Sequence, residues 1–211
     1  LLKYDPQAAR ELRALFDSVT TNETSFFRSP PQIQAFQEKV LPEIIERRVA
    51  EGEKTLRLWS AGCSTGDEPY TMGIVVREVF KEAVAGWDIR IFASDISEKA
   101  LKSARSAQYS EYTLRSVPPE IKRKYFTQNG SQYTVNEEIR SLVDLQYLNF
   151  NDAARVRLMK GFDVIFCRNV LIYFDDEAKK RFVAQLYDNL NPGGYLFIGH
   201  SESLHNISRA F

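Results

Sequence analysis

From residue 55 to residue 198, short strand-like segments alternate with longer helix-like segments. The strand-like segments are apolar and rich in β-branched and aromatic residues, and the segments between them carry apolar residues at helical spacing. Since parallel strands need a helical crossover between them, this alternation predicts an α/β fold with a doubly wound, mostly parallel sheet. The predicted strands span residues 55–60, 88–94, 142–149, 162–167 and 195–198, and the predicted helices span 68–84, 98–107 and 175–190.

Helices are predicted before the sheet begins. Asp5 followed by Pro6 favours a helix start, and apolar residues at helical spacing continue that helix over 6–19. Pro30-Pro31 predicts a second start, and Pro42 is expected to divide that helix from a third one. The chain therefore opens with a helical segment.

One stretch within the sheet region breaks the alternation. It contains Pro118-Pro119, a short basic helix, and Asn129-Gly130, a dipeptide typical of hairpin turns. We interpret residues 109–141 as a small β-subdomain inserted into the sheet domain. The predicted organisation is a helical N-terminal segment at 1–50, consisting of the remnant of a helical domain plus a linker, and a ligand-binding domain at 51–211. A turn is also predicted at 191–194.

Charge and cysteine content exclude several classes of protein. The 28 Lys and Arg residues equal the 28 Asp and Glu residues, which argues against a nucleic acid partner. Cys63 and Cys167 have neither metal-ligand nor disulfide spacing, and free thiols suit a reducing compartment. No apolar run approaches the roughly 20 residues of a membrane helix, and no signal peptide is visible. We expect a soluble cytoplasmic protein without a metal or a membrane insertion.

The loop after the first strand is a candidate ligand site, because ligands bind at the carboxyl ends of strands in an open α/β sheet. Gly62 and Gly66 allow a tight turn and a close approach to a ligand. The dinucleotide pattern G-x-G-x-x-G and the lysine of a phosphate loop are absent. Asp67 and Glu68 follow instead, which would repel a pyrophosphate and suit a cationic amino acid carrying a sulfonium. A tight turn without a ligand is an equal alternative.

Two later strand ends also carry polar residues. Asp95 follows the second strand, where a carboxylate can accept hydrogen bonds from ribose hydroxyls. It could instead cap the next helix, although Ser97 can serve as that cap. A very apolar strand further along ends in Arg168 and Asn169, with Tyr173 close behind. Alone, Tyr173 would be more typical of a packed aromatic residue.

A polar run closed by two phenylalanines and an arginine precedes the sheet at residues 21–28. By composition it indicates only a loop. Together with the other motifs, however, it resembles the chemotaxis receptor glutamate methyltransferases, the CheR family. The similarity follows the family's order over nearly the whole chain and is most specific over residues 166–174. The matching segments are 21–28, 59–70, 92–96, 162–175 and 199–203.

This resemblance implies a Rossmann-like methyltransferase domain that uses S-adenosylmethionine, with S-adenosylhomocysteine as product. Its implied partner is the cytoplasmic domain of a methyl-accepting chemoreceptor, whose glutamates are methylated during adaptation in chemotaxis-type signalling. Glu68 is expected to hold the cofactor's amino group, Asp95 its ribose, and Asn149 with Phe150 to border its adenine. We expect a monomer. The implied cofactor-binding residues are Asn22, Thr24, Arg28, Ala61, Gly62, Glu68, Asp95, Asn149, Phe150, Arg168 and Asn169.

The resemblance also implies a transfer site with Arg28 and Tyr173 as catalytic residues. A glutamate carboxylate is ionised at neutral pH, so methyl transfer by in-line displacement needs no general base. Arg28 is expected to orient the carboxylate and Tyr173 to fix the donor geometry. We expect His200 to be a structural hydrogen-bonding residue.

Two departures from the family pattern affect docking. Of the family's N-terminal helical domain only the helix over 6–19 is recognisable, and a further strand usually follows the segment at 199–203. The inserted subdomain docks a receptor tail peptide in some members, but its loop is short here, which disfavours that mode.

Rival interpretations remain. A nicotinamide-dependent oxidoreductase is disfavoured by Asp67, Glu68 and the missing third glycine. A nucleic-acid or small-molecule methyltransferase is a second alternative, and the proline pair of nucleobase-amine enzymes is absent after Asn169. A regulatory module that binds the cofactor without turnover would carry the same binding residues.

Overall fold

The computed structural model describes Glu11, Leu15, Asp17 and residues 23–211. The predicted helix over 6–19 lies largely outside this part of the chain, and its three described residues are helical. Helix α1 spans Pro30–Ala35, a π-helical stretch covers Phe36–Val40, and helix α2 spans Leu41–Ala50. The predicted third helix is present and begins at Leu41, next to Pro42, although the backbone stays helical across the junction. Pro42 lies in the first turn of α2, and the wider π-helical turn before it lets the chain stay helical without the proline N–H.

The strands and helices that follow alternate as the sequence predicts. The strands are β1 Thr55–Ala61, β2 Asp88–Asp95, β3 Gln108–Ser110, β4 Phe126–Asn129, β5 Gln132–Val135, β6 Val143–Tyr147, β7 Phe162–Cys167 and β8 Leu190–Ile198. The helices are α3 Asp67–Phe80, α4 Glu98–Ser106, α5 Pro119–Tyr125, α6 Glu137–Arg140, α7 Ala153–Leu158 and α8 Asp176–Asn189. Short 3₁₀ turns cover Lys81–Gly86 and Leu171–Tyr173.

A five-stranded sheet with the order β6-β2-β1-β7-β8 forms the centre of the domain, and all its pairings are parallel. This confirms the predicted doubly wound α/β fold. Neighbouring residues of β1 face opposite layers: Leu58 packs with α1, α2 and α3, and Trp59 packs with α7 and α8. Strand β7, which lies between β1 and β8, is buried along its full length, in line with its apolar sequence.

Strand β8 contains an irregularity where a turn was predicted. Leu190 pairs with Phe162 and Tyr195 pairs with Val164, so four residues of β8 lie opposite the single residue Asp163. The Pro-Gly-Gly segment is thus accommodated as a bulge within the strand, with Gly193 at φ 71°.

The inserted subdomain is confirmed as a small antiparallel sheet of order β3-β5-β4. Its hairpin turns at Gly130, with φ 61°, as the Asn-Gly dipeptide predicts. Strand β3 was not predicted, because three residues carry too short a pattern. The division of the chain at residue 50 remains a prediction. Among the described residues, no helix has both the length and the apolar character needed to cross a bilayer.

Asp163 lies near the amino end of β7, at the edge of the sheet opposite the strands' carboxyl ends, and joins several elements there. Its buried carboxylate accepts hydrogen bonds from the Arg57 backbone N–H at 2.9 Å, the Arg48 guanidinium at 2.6 Å and the Asn191 side chain at 3.0 Å. Together these contacts join α2, β1, β7 and β8.

We predict that Asp163→Asn lowers the free energy of unfolding by about 3 kcal/mol, or Tm by about 10 °C, because a buried ion pair loses one charge. Thermal unfolding followed by circular dichroism measures the change. Asp144→Asn on the exposed face of β6 is the matched control and should leave Tm within about 2 °C. Equal Tm values for both variants would contradict the role of Asp163.

Candidate functional site

The glycine loop, residues 62–66, is held against the end of β2. The N–H groups of Gly62 and Cys63 both donate to the carbonyl of Ser94, at 2.8 and 2.9 Å. Gly62 has φ 86°, and a β-carbon there would lie 2.4 Å from a methyl carbon of Val170. Glycine is therefore required both by backbone conformation and by the close approach of the loop that follows β7.

Asp95 fixes this loop from the other side. Its two carboxylate oxygens accept the backbone N–H groups of Ser64 at 2.7 Å and Ser97 at 2.9 Å. The Ser97 hydroxyl accepts from the N–H of Ala100, so Ser97 is the cap of α4, as predicted. Burial raises the pKa of Asp95, and the backbone hydrogen bonds oppose that shift. A carboxylate has about four acceptor positions, so Asp95 can still accept from a ligand.

Glu68 and Arg168 form a largely buried ion pair across the site. Arg168 donates to Glu68 Oε2 at 3.2 Å and to the carbonyl of Arg28 at 2.7 Å, and the Ser60 hydroxyl donates to Glu68 Oε1 at 2.8 Å. Burial raises the pKa of Glu68, while the positive charge of Arg168 opposes the shift. Within the described residues, the buried Nε of Arg168 has no hydrogen-bond partner.

Glu202 shapes the loop after β7. Its carboxylate accepts the backbone N–H groups of Asn169 at 2.9 Å, Leu171 at 2.8 Å and Gly199 at 2.6 Å. Asn169 adopts φ 59°, a left-handed conformation that the Glu202 contact helps to hold. The sequence analysis did not identify Glu202, although it lies within a matched segment, because its role depends on contacts with a distant loop.

The segment before the sheet is anchored by aromatic packing. Phe26 is fully buried, and its ring packs edge-on against Tyr109 and Phe126 at centroid distances of 4.8 and 5.2 Å. The N–H of Phe27 donates to the hydroxyl of Thr71 on α3 at 3.1 Å. These contacts place Arg28 over the carboxyl ends of the strands.

These elements enclose a cavity of about 240 Å³, which we call the transfer cavity. It lies at the carboxyl ends of β1 and β7, the edge where the sequence predicts a ligand. Seven predicted residues meet there: Thr24, Arg28, Gly62, Glu68, Arg168, Asn169 and Tyr173. Four residues that the sequence analysis did not select complete the lining: Glu23, Ser25, Ser64 and Ile172.

The other predicted residues lie elsewhere. Asn22 is outside the described residues. Ala61 is buried at the end of β1, and the Phe150 ring stacks on Phe182 within the core at a centroid distance of 4.5 Å. The Asn149 side chain accepts the N–H of Asn151 at 2.9 Å. His200 is exposed and is not part of the cavity lining.

Tyr109 of the inserted subdomain supports both walls of the transfer cavity. Its ring contacts Phe26, and its hydroxyl donates to the carbonyl of Thr65 in the glycine loop at 2.7 Å. Burial, together with the nearby Asp67 carboxylate, raises the pKa of Tyr109 well above its ordinary value, so the hydroxyl remains a donor. No local sequence signal marks this residue, because its contacts are with distant parts of the chain.

Comparison with known proteins assigns the family. Residues 22–211 match the model described as CheR methyltransferase, SAM binding domain. The chain belongs to the CheR methyltransferase family. Family membership agrees with the resemblance carried by the glycine loop and by residues 166–174, and it excludes the nicotinamide oxidoreductase interpretation.

Curated CheR-type relatives match over almost the entire chain. Chemotaxis protein methyltransferase 2 of Vibrio cholerae is 38% identical over 205 residues, which cover 97% of this chain and 70% of the relative. Chemotaxis protein methyltransferase 1 of Pseudomonas aeruginosa is 39% identical over 197 residues, covering 90% and 69%. The chemotaxis protein methyltransferase of Borreliella burgdorferi is 35% identical over 195 residues, covering 92% and 69%.

For this CheR domain we predict that Tyr109→Phe weakens S-adenosylhomocysteine binding about tenfold, because the Thr65 carbonyl loses its donor and the glycine loop loosens. Isothermal titration calorimetry measures the affinity. Tyr70→Phe is the matched control, since Tyr70 also donates a buried hydroxyl, to the Ala104 carbonyl at 2.9 Å. Equal affinities for the two variants would show that Tyr109 has no special role.

Proposed function

We propose that this chain transfers a methyl group from S-adenosylmethionine to glutamate side-chain carboxylates on the cytoplasmic domain of a chemoreceptor. Family membership supports methyl transfer, and the names of the relatives support a role in chemotaxis. The observation that carries the proposal is one cavity lined by two acidic residues, Glu23 and Glu68, and two arginines, Arg28 and Arg168. We propose a cytoplasmic location, because the proposed substrate is there.

The donor set of the transfer cavity fits this cofactor. Glu68 presents a carboxylate to an ammonium group, and the Arg168 guanidinium in the same lining supplies positive charge for a carboxylate. Asp95 lies behind the glycine loop and outside the cavity lining, and it retains acceptor capacity for ribose hydroxyls. Gly62 lines the cavity and lets the glycine loop pack directly against Val170, which sets the position of this wall. We propose Glu68, Arg168, Asp95 and the glycine loop as the residues that hold the cofactor.

When bound, S-adenosylmethionine would supply an electrophilic methyl group on sulfur, for which a carboxylate oxygen of the acceptor would be the nucleophile. The protein's part is orientation. An acceptor carboxylate has a pKa near 4.3, so it is already ionised at neutral pH and no residue needs to remove a proton. The alignment of reacting groups can supply on the order of 7–11 kcal/mol of barrier reduction.

We propose that Arg28 orients the acceptor and that Tyr173 borders the methyl group. The Arg28 guanidinium donates to the Glu23 carbonyl at 3.0 Å, which leaves further N–H groups for a carboxylate. Tyr173 is 61% exposed at the outer edge of the cavity, where an acceptor would enter. Arg28 favours transfer when it binds the acceptor carboxylate only moderately tightly, because the carboxylate loses its negative charge in the transition state.

We predict that Arg28→Ala lowers kcat for a receptor cytoplasmic domain about a hundredfold and weakens S-adenosylhomocysteine binding much less, since orientation is lost while Glu68 and Arg168 remain. Transfer of tritiated methyl groups measures kcat, and calorimetry measures binding. Arg90→Ala, on an exposed part of β2, is the control. Full turnover by Arg28→Ala would remove Arg28 from the mechanism, and cofactor binding by the wild type without transfer would favour a regulatory module.

We also predict that S-adenosylhomocysteine affinity falls as pH is lowered from 7 to 5. Burial raises the pKa of Glu68, so this carboxylate gains its proton at a higher pH than an ordinary glutamate, and the protonated form no longer attracts an ammonium. Glu68→Gln should bind about tenfold or more weakly at pH 7 and should show a shallower pH dependence. Glu46→Gln on α2 is exposed and is the control. An unchanged pH profile in Glu68→Gln would exclude this role.

A further inference from the structure

The backbone on both sides of Arg28 adopts an unusual conformation. Phe27 has φ 53° and Ser29 has φ 60°, so a left-handed residue that is not glycine precedes Arg28 and another follows it. Such a conformation costs free energy for a residue with a side chain, and it persists only where the surrounding structure holds it. The direction in which the Arg28 side chain leaves the backbone therefore depends on the contacts that hold Phe27 and Ser29.

The contact that holds Phe27 comes from Thr71, a buried residue in the second turn of α3. The Thr71 hydroxyl accepts the backbone N–H of Phe27 at 3.1 Å and donates its own proton to the carbonyl of Asp67 at 2.7 Å. A hydroxyl has a single proton to donate, so the bond to Asp67 leaves only its lone pairs facing Phe27. The bond to Asp67 thus orients the hydroxyl as an acceptor for the Phe27 N–H.

Asp67 connects this contact to the glycine loop. Its side chain accepts a hydrogen bond from the Thr65 hydroxyl at 2.6 Å, and it is the first residue of α3, next to Glu68. The backbone beside Arg28 is therefore tied, through Thr71, to the same helical turn that carries Glu68. A shift of this backbone away from Thr71 would move Arg28 relative to the residues proposed to hold the cofactor.

The other anchors of this segment act at different positions. Arg168 donates to the carbonyl of Arg28 at 2.7 Å, and the carbonyl of Ser29 accepts two backbone N–H groups from α1. Arg168 lines the transfer cavity, whereas Thr71 is not part of its lining. Replacing Thr71 therefore tests how the backbone at Phe27 affects Arg28 without changing the lining of the cavity.

We propose that Thr71 is a positioning residue for methyl transfer: by holding the N–H of Phe27 it keeps the left-handed backbone in place and directs the Arg28 guanidinium toward the acceptor carboxylate. This inference rests on the proposed function and adds a residue that acts through Arg28 without touching the acceptor. Loss of the hydroxyl leaves the Phe27 N–H without its partner, so the backbone can relax and Arg28 samples orientations that do not bind the acceptor. The effect falls on the transfer step, where the alignment of the reacting groups matters most.

The test is a double-variant cycle between Thr71 and Arg28. Thr71→Val replaces the hydroxyl by a methyl group, and Thr71→Ser retains the hydroxyl. Tyr70→Phe is the matched control, because it removes another buried hydroxyl of α3 that donates to a main-chain carbonyl. Thr71→Ala removes the hydroxyl without placing a methyl group against the Phe27 N–H, and it takes the place of Thr71→Val if that variant does not fold. The probes are a purified chemoreceptor cytoplasmic domain with tritiated S-adenosylmethionine under single-turnover conditions, and S-adenosylhomocysteine alone in a calorimetric titration.

Thr71→Val should lower the single-turnover rate about tenfold, with S-adenosylhomocysteine affinity within about threefold of the wild type. The rates of Thr71→Ser and Tyr70→Phe should stay within about threefold of the wild type. In the Arg28→Ala background, adding Thr71→Val should lower the rate by no more than about twofold, because the residue through which Thr71 acts is already absent.

A loss of about tenfold from Thr71→Val that persists in the Arg28→Ala background would overturn the inference, because independent effects multiply. A rate for Thr71→Val equal to that of Tyr70→Phe would overturn it as well, and the proposed function would stand in both cases. A wild-type protein that binds S-adenosylhomocysteine but methylates no receptor domain would instead overturn the proposed function and this inference with it.

Discussion

The buried ion pair between Glu68 and Arg168 is the contact on which the site depends. It joins α3 to the loop after β7, and through the Arg28 carbonyl it also fixes the segment that precedes the sheet. Removing two charges from water is costly, and the cost is recovered only when geometry and additional hydrogen bonds are good. Ser60 and the Arg28 carbonyl supply such bonds, yet the Arg168 Nε is left without a partner within the described residues. The site is therefore held by polar contacts that are nearly, but not fully, satisfied within the described residues.

Apolar packing supports this polar centre from the inserted subdomain. Phe26 lies between Tyr109 and Phe126, so the cavity wall that carries Arg28 rests on the small antiparallel sheet. The same sheet is tied to α3 by Tyr125, whose hydroxyl bonds to Glu78 at 2.5 Å. An insertion that breaks the α/β alternation in sequence is thus part of the frame that positions the glycine loop.

The sequence was informative where local pattern determines structure. Strand β7 has the predicted bounds, because a continuous apolar run bounded by polar residues leaves few alternatives. The glycine loop and Ser97 were likewise predicted from local rules. Other features are not encoded by a short sequence pattern. Strand β3 and the bulge opposite Asp163 depend on tertiary pairing, and the continuous helix across Pro42 depends on a π-helical turn. For the same reason Glu202 and Tyr109 were missed: each acts on a loop far from it in sequence. The Phe150 ring stacks on the buried Phe182 and is itself partly buried, and its expected place beside the adenine stays a prediction.

The exposure of Ile172 and Tyr173 follows from the kind of acceptor proposed. An enzyme acting on a small molecule can enclose it and exclude water within its own cavity, which strengthens electrostatic interactions during the reaction. A glutamate on another protein arrives with its main chain, so the entrance must be open and much of the water must be displaced by the partner. Apolar side chains that are half exposed in the free protein suit that purpose, since contact with the partner would bury them beside the reacting carboxylate. Under the proposed function, dehydration of the carboxylate would be shared between enzyme and substrate, which would tie methyl transfer to correct docking.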